Sequence, residues 1–264
     1  MKAKQIEKLL TGVMTNFLES IKDEEIKKII KENSFITGGC IPSMLMDEWI
    51  NDYDLYFYCK NDTEKVKQYF EEKHTTDKKD KYHVKLITEN STNLSDKIQL
   101  ITKFIGDPMF ITQQFDWQHI KSWYSCKEEK LYLTNDVYRL IVEKELIYTG
   151  SAYPLSSFLR LKKYLKKGWN VSTATMVHIA LDITQSFRNS DAHRIRKQLQ
   201  NANISPELLD DFQQENENQT EPEFFVDDII YHLNGVDPLT VQAELEKKKG
   251  IYLPLSEIIE MIER

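Results

Sequence analysis

The sequence predicts an α+β fold: a mixed sheet with flanking helices in the first half, followed by an all-helical C-terminal domain. Three observations predict it. Strand-like apolar runs are confined to residues 34–133, helical spacing of apolar residues takes over from Asn135, and Gly150 stands where the two halves meet. The expected domains are therefore 1–150 and 151–264.

Residues 4–31 carry Ile6, Leu9, Leu10, Val13, Phe17, Leu18 and Ile21 at helical spacing, which predicts one or two amphipathic helices. Ser34–Thr37 is a short apolar strand running into Gly38-Gly39. A helical turn (41–49) and a second strand (53–58) follow. Asn61-Asp62-Thr63 is a capping region for a helix over 64–74, and the charged run 75–81 reads as a loop. Two strands are expected at 82–88 and 97–104, joined by a polar turn over 89–96. Asp107-Pro108 starts a helix over 109–114. A strand over 115–125 pairs with 130–133 as a hairpin. Helices are expected at 135–147, 154–167, 173–187, 191–200 and 205–214. The polar stretch 213–223 reads as a loop, and 224–264 as short helices broken at Gly235, Pro238 and Gly250.

Composition narrows the function. With 41% hydrophobic and 29% charged residues the chain reads as a soluble globular protein. It has no apolar run near the roughly 18 residues of a membrane span. The charged N-terminus lacks a secretory apolar region, and Cys40, Cys59 and Cys126 have neither metal-ligand spacing nor an even count. A reducing, cytoplasmic location is expected. The net charge of −7 argues against coating nucleic acid by bulk electrostatics but leaves room for a local basic groove. The densest basic stretch runs from Arg160 through Lys162 and Lys163 to Lys167.

The chemistry concentrates between Phe35 and Phe57. A strand delivers Gly38-Gly39, a helical turn follows, and the next strand opens with Asp52-Tyr53-Asp54. Side chains alternate along a strand, so the two aspartates project to one face. Two carboxylates that close repel each other unless a cation sits between them, and a hard cation such as Mg²⁺ suits oxygen ligands. Glycines let the backbone approach a phosphate, whose oxygens can bind the N–H groups of the following turn. Taken singly, Gly-Gly is most often a turn, and Asp-x-Asp most often a solvated face. Their order and spacing together are far more specific.

That arrangement resembles the DNA polymerase β-type nucleotidyltransferase superfamily, and within it the head and neck of bacterial-type tRNA CCA-adding enzymes and poly(A) polymerases. Their Gly-Gly-x-x-Arg-Asp…Asp-x-Asp-Leu motif is similar to Gly38-Gly39…Asp52-Tyr53-Asp54-Leu55. Their Ile-Glu strand looks like Ile98-Gln99 through Lys103, their Arg-Arg-Asp-Phe-Thr like Gln113 to Trp117, and their neck helix like Tyr153-Pro154-Leu155…Lys162…Gly168-Trp169. The likeness spans about residues 33–170. It departs at Pro42 and Ser43, which replace Arg-Asp, and at Gln99, which replaces a carboxylate. Gln113 and Gln114 replace paired arginines, and Ser156 a neck arginine.

The resemblance implies a catalytic domain over 1–150 and a helical neck and body over 151–264. It implies two Mg²⁺ ions on Asp52 and Asp54, with Asp116 (in Phe115-Asp116-Trp117) as third carboxylate or base, the alternative being a structural aspartate. Gly38, Gly39, Ser43, Lys103, Arg160 and Lys162 would bind the nucleotide, and the acceptor hydroxyl would be an RNA 3′ end. Three readings compete: RNA as acceptor; a protein, small molecule or nucleotide as acceptor; and a non-catalytic nucleotide- or RNA-binding relative. Oligomeric state is left open. His83, His119 and His178 read as core or surface residues, and the cysteines as packing. Tyr56, Tyr58 and Trp123-Tyr124 read as strand-face packing, with base stacking as the alternative.

Overall fold

The computed structural model describes residues 2–74, 81–88 and 90–188. The chain divides into two compact units, Met1–Thr149 and Gly150–Arg264.

The first unit is a seven-stranded mixed sheet with helices. Helices α1 (Ala3–Glu19) and α2 (Glu24–Glu32) precede strand β1 (Ser34–Thr37), and helix α3 (Cys40–Leu45) leads to β2 (Tyr53–Phe57). Helix α4 (Lys60–His74) is followed by β3 (Val84–Ile87), β4 (Ser91–Leu94) and β5 (Ile98–Ile101). Helix α5 (Pro108–Gln113) and a 3-10 turn (Gln118–Ile120) lead to the hairpin β6 (Trp123–Ser125) and β7 (Lys130–Tyr132), then α6 (Asn135–Glu143). The strand order is β3-β4-β5-β2-β1-β6-β7; β2 and β5 run parallel and every other neighbouring pair is antiparallel.

Register sorts the side chains into two faces. One row across the sheet reads Thr92, Leu100, Leu55, Ile36, Tyr124, Leu131, all buried. Helix α1 belongs to this face: the Tyr124 hydroxyl hydrogen-bonds Thr11 at 2.8 Å, and the Leu131 amide donates to Glu7 at 3.0 Å. Ile6, Leu10, Met14 and Phe17 of α1 are buried, while Leu9 is left exposed. Phe17 stacks on Phe70 of α4 at 5.8 Å. Asp23 caps α2 by accepting from the amides of Glu25 and Ile26, and the buried Ile26, Ile29 and Ile30 share one helical stripe. On the opposite face, Phe35, Tyr56, Ile101 and Ile111 of α5 form a second cluster, with Phe115 and Trp123 packed against it.

Four expectations are corrected. The stretch 89–96 is not only a turn: Ser91–Leu94 forms β4, paired on both sides. Its residues are polar, but Thr92 is β-branched and fully buried, and the Ser91 hydroxyl meets Thr88 and Gln99. The strand expected over 115–125 shrinks to Trp123–Ser125. Upstream, Trp117 bridges Tyr148 and the Gln118 amide donates to Ile147, so the chain pairs away from the sheet and bends into the 3-10 turn. Helix α4 starts at Lys60, ahead of the expected 64, and α6 ends at Glu143, where Lys144 takes a left-handed conformation (φ 53°).

In the second unit, α7 (Pro154–Lys166) opens on Pro154 and α8 spans Thr173–Arg188. The helices expected at 191–200 and 205–214, the loop at 213–223 and the elements over 224–264 lie outside the described residues.

Candidate functional site

The row next to the buried apolar one, on the opposite face, is polar at its centre. Asn93 stands opposite Gln99, Gln99 beside Asp54, Asp54 opposite Thr37, Thr37 opposite Trp123 and Trp123 opposite Tyr132. Residues directly opposite in a ladder share a face. The buried Thr37 is the last residue of β1, and its hydroxyl donates to the Ser122 carbonyl at 2.6 Å.

Past Thr37 the chain turns at Gly38, whose φ of +91° is the left-handed region that side chains rarely adopt. A Cβ on Gly38 would lie 3.0 Å from Asp54 Oδ2. The glycine turn therefore lies directly against the Asp54 carboxyl, and a larger residue would both strain the backbone and push that carboxyl aside. Gly39 begins α3, where nothing lies within 4 Å of an added Cβ and the Ser43 amide donates to the Gly39 carbonyl.

Burial, and second the charge of Asp52, push the Asp54 carboxyl up to about 7. Asp52 is exposed, immediately ahead of β2, and among the described residues it has no hydrogen bond or ion pair. Asp54 in turn helps raise the buried Cys40 thiol, after burial itself. Such a pair is poorly compensated by its own protein, and a divalent cation on Asp52 and Asp54 would reverse the penalty. Gln99, whose Nε2 donates to the Ser91 hydroxyl at 2.8 Å, stands beside Asp54 on β5. Among the described residues no three His, Cys, Asp or Glu side chains come together closely enough to hold a metal ion.

The other expected site residues are placed as follows. Asp116 is buried in the bend after α5; its carbonyl accepts from Thr149 at 2.8 Å, and its charge partly offsets the burial that lowers Lys121. It does not join Asp52 and Asp54 in a three-carboxylate group. Lys103 is exposed in a bend two residues past the end of β5, the end of that strand away from Gly38. Arg160 and Lys162 are exposed on α7 in the second unit. Tyr56 and Tyr124 are buried packing residues, while Trp123 stacks on Tyr132 at 5.0 Å. Cys40 and Cys126 are buried, and Cys59 is exposed. His119 is fully buried, and burial lowers it to about 3. Asn93 escaped sequence reading because β4 did; the alternation of buried Thr92 and Leu94 was the available signal.

Residues 8–144, more than half of the chain, match the family described as "Gabija anti-defense 2 family protein". The chain belongs to the Gabija anti-defense 2 family. The matched stretch takes in the Gly38 turn, Asp52, Asp54, Gln99 and Asp116. A curated relative, Gabija anti-defense 2 of Bacillus phage SPbetaL7, is 28% identical over 169 residues. That alignment covers 63% of this chain and 41% of the relative, so this family member spans less than half the length of the curated protein it matches. Among solved structures, the Thermotoga maritima CCA-adding enzyme complexed with tRNA is similar at 12% identity and a TM-score of 0.44, over 95% of this chain and 72% of that one. The Bacillus stearothermophilus CCA-adding enzyme in complex with CTP is similar at 11% identity and 0.42, over 63% and 43%.

Proposed function

We propose that this chain transfers a nucleoside monophosphate from a nucleoside triphosphate to a hydroxyl acceptor, an RNA 3′ end, and that the transfer serves an anti-defense role against Gabija. The observation that carries the reading is the contact of the left-handed Gly38 turn with the Asp54 carboxyl, 3.0 Å from where a Cβ would stand. A phosphate-admitting backbone and a cation-binding carboxylate then occupy one spot.

Asp52 and Asp54 would hold two Mg²⁺ ions, with the Gln99 amide oxygen as a neutral ligand. Bound there, Mg²⁺ supplies charge neutralisation on the triphosphate and a lowered pKa for the attacking hydroxyl. Gly38 and Gly39 would admit the β- and γ-phosphates to backbone amides, and Ser43 would add a hydroxyl donor. The acceptor hydroxyl gives up its proton to water, its oxygen bonds to the α-phosphorus as the bond to the bridging oxygen breaks, and pyrophosphate leaves. Asp116, buried in its bend near Lys121 and apart from the metal pair, would be the structural aspartate of the two expected roles. Arg160 and Lys162, both exposed on α7, would supply phosphate contacts of their own.

The test is incubation with each labelled triphosphate, Mg²⁺ and total RNA. Label transfer with the unaltered chain, lost in Asp52→Ala and in Asp54→Ala while both stay folded, is expected. Full turnover in either variant refutes the proposal. One observation favours a second reading: the position beside Asp54 on the central strand is an amide, Gln99, which cannot act as a base. A non-catalytic nucleotide-binding relative would bind labelled triphosphate in the same assay and transfer none.

A further inference from the structure

Trp49 is 75% exposed in the loop between α3 and β2, three residues ahead of Asp52. The chain has four tryptophans; Trp117 and Trp169 are buried, and Trp123 is partly buried beneath Tyr132. An indole this open contributes little to the core, so its position calls for a different account.

Its ring is held by a cation. The Lys97 ammonium lies 3.6 Å from the centre of the Trp49 ring. Lys97 immediately precedes β5, and its carbonyl accepts from the Tyr53 amide at 2.7 Å. Tyr53 stands beside Ile98, so Lys97 and Asp52 are the residues that immediately precede this pair on the two neighbouring strands. The carboxylate is the obvious partner, yet no Lys97–Asp52 ion pair occurs among the described residues; the ammonium covers the indole instead. Lys97 and its neighbour Asp96 both have positive φ, 67° and 57°, which is how the lysine leaves the regular line of the strand. One face of the indole is thereby pinned by a cation that can also meet a phosphate, while Trp49 as a whole stays 75% exposed. Two residues, Ile50 and Asn51, separate it from Asp52, a span of three steps or at most about 10 Å, the scale of one nucleotide.

We infer that Trp49 and Lys97 form a stacking platform for an unpaired nucleobase beside the Asp52–Asp54 pair, with Lys97 meeting the adjoining phosphate. The base belongs either to the incoming nucleoside triphosphate or to the end of a single-stranded acceptor. Stacking on an aromatic ring tolerates any base, so the platform fixes position more than sequence. The inference rests on the proposed nucleotidyl transfer for the meaning of the site, but the stacking can be tested by itself.

The experiment uses the full chain and reads tryptophan emission together with binding, with ATP in one arm and a ten-nucleotide oligoadenylate in the other, both without Mg²⁺. Quenching in the ATP arm assigns the platform to the incoming nucleotide, and in the oligoadenylate arm to the acceptor. Trp49→Phe should abolish the quench and keep affinity within about threefold, because the ring is retained. Trp49→Ala, at an exposed position that leaves folding intact, should weaken binding of the same probe about tenfold. Lys97→Ala should weaken binding and make Trp49 more accessible to acrylamide. Unchanged affinity of Trp49→Ala for both probes, or a quench that survives in Trp49→Phe, overturns the platform. Transfer activity of Asp52→Asn is assayed in parallel. Lost activity there with intact binding by Trp49→Ala sinks the platform alone, and retained activity sinks the proposed transfer alone.

Discussion

At the residue scale, the site is dominated by one carboxyl kept where it does not want to be charged. Asp54 is pushed up to about 7, chiefly by burial and then by Asp52. An acid whose pKa is raised by folding favours the folded state below its unfolded value, near 3.8, and that contribution is lost as pH rises through about 7. Asp54→Asn keeps the shape and removes the charge. In metal-free buffer at pH 8 it should therefore unfold about 1–3 kcal/mol later than the unaltered chain in urea, while losing turnover. A less stable Asp54→Asn at pH 8 would contradict the burial account. His119 behaves oppositely. Burial lowers it to about 3, so the folded state resists the proton and stability falls as pH drops below about 6.5. The contribution has a slope of at most about 1.4 kcal/mol per pH unit. His119→Asn should flatten the acid side of the stability profile between pH 6.5 and 5, which urea midpoints at the two values measure. The aspartates and glycines were readable because strand alternation and the glycine dipeptide are local signals. The buried pocket of His119 was not, since it is built by Trp117 and other residues brought in by the bend.

At the scale of elements, the sequence was most readable where apolar periodicity and capping agree. In α2, Asp23, the acidic first turn and the isoleucine stripe all mark one helix. Asp23→Ala removes both side-chain cap bonds, to Glu25 and Ile26, and should cost about 1 kcal/mol in thermal or urea unfolding without touching the carboxylate pair. Elements whose stability comes from partners were the ones missed. Strand β4 is Ser-Thr-Asn-Leu, a turn-like composition, and it becomes a strand because β3 and β5 supply ladders on both sides. The segment 115–122 has strand-like composition and is diverted by its pairing with 147–149. Tertiary context overrode propensity in both directions. Asp116 was expected to reach the site from a strand, and its bend follows from the same diversion.

At the scale of the whole molecule, charge bears on the proposed RNA acceptor. A net charge of −7 gives little general attraction for polyanions, so any RNA contact has to come from local groups such as Lys97 and the basic run of α7. Binding of single-stranded RNA, followed from 50 to 200 mM salt, should fall with a shallow slope set by only a few phosphate contacts. A steep slope of six or more released ions would show a broad basic surface that this charge does not predict. The change from strand-like to helical spacing at Asn135 was readable because apolar periodicity is written over long windows, and α6 starts at that residue. The sequence carries no comparable pattern that chooses among the competing acceptor readings.

The two-sided register of β2 also decides which changes the lineage can survive. Leu55 faces the helices and Asp54 the polar row, so removing one residue inside Tyr53–Phe57 would turn an aspartate into the oil and a leucine out to water. Length variation should therefore collect in the connection ahead of it, between Met46 and Asn51, while the five residues of the strand keep their number through any amount of sequence drift.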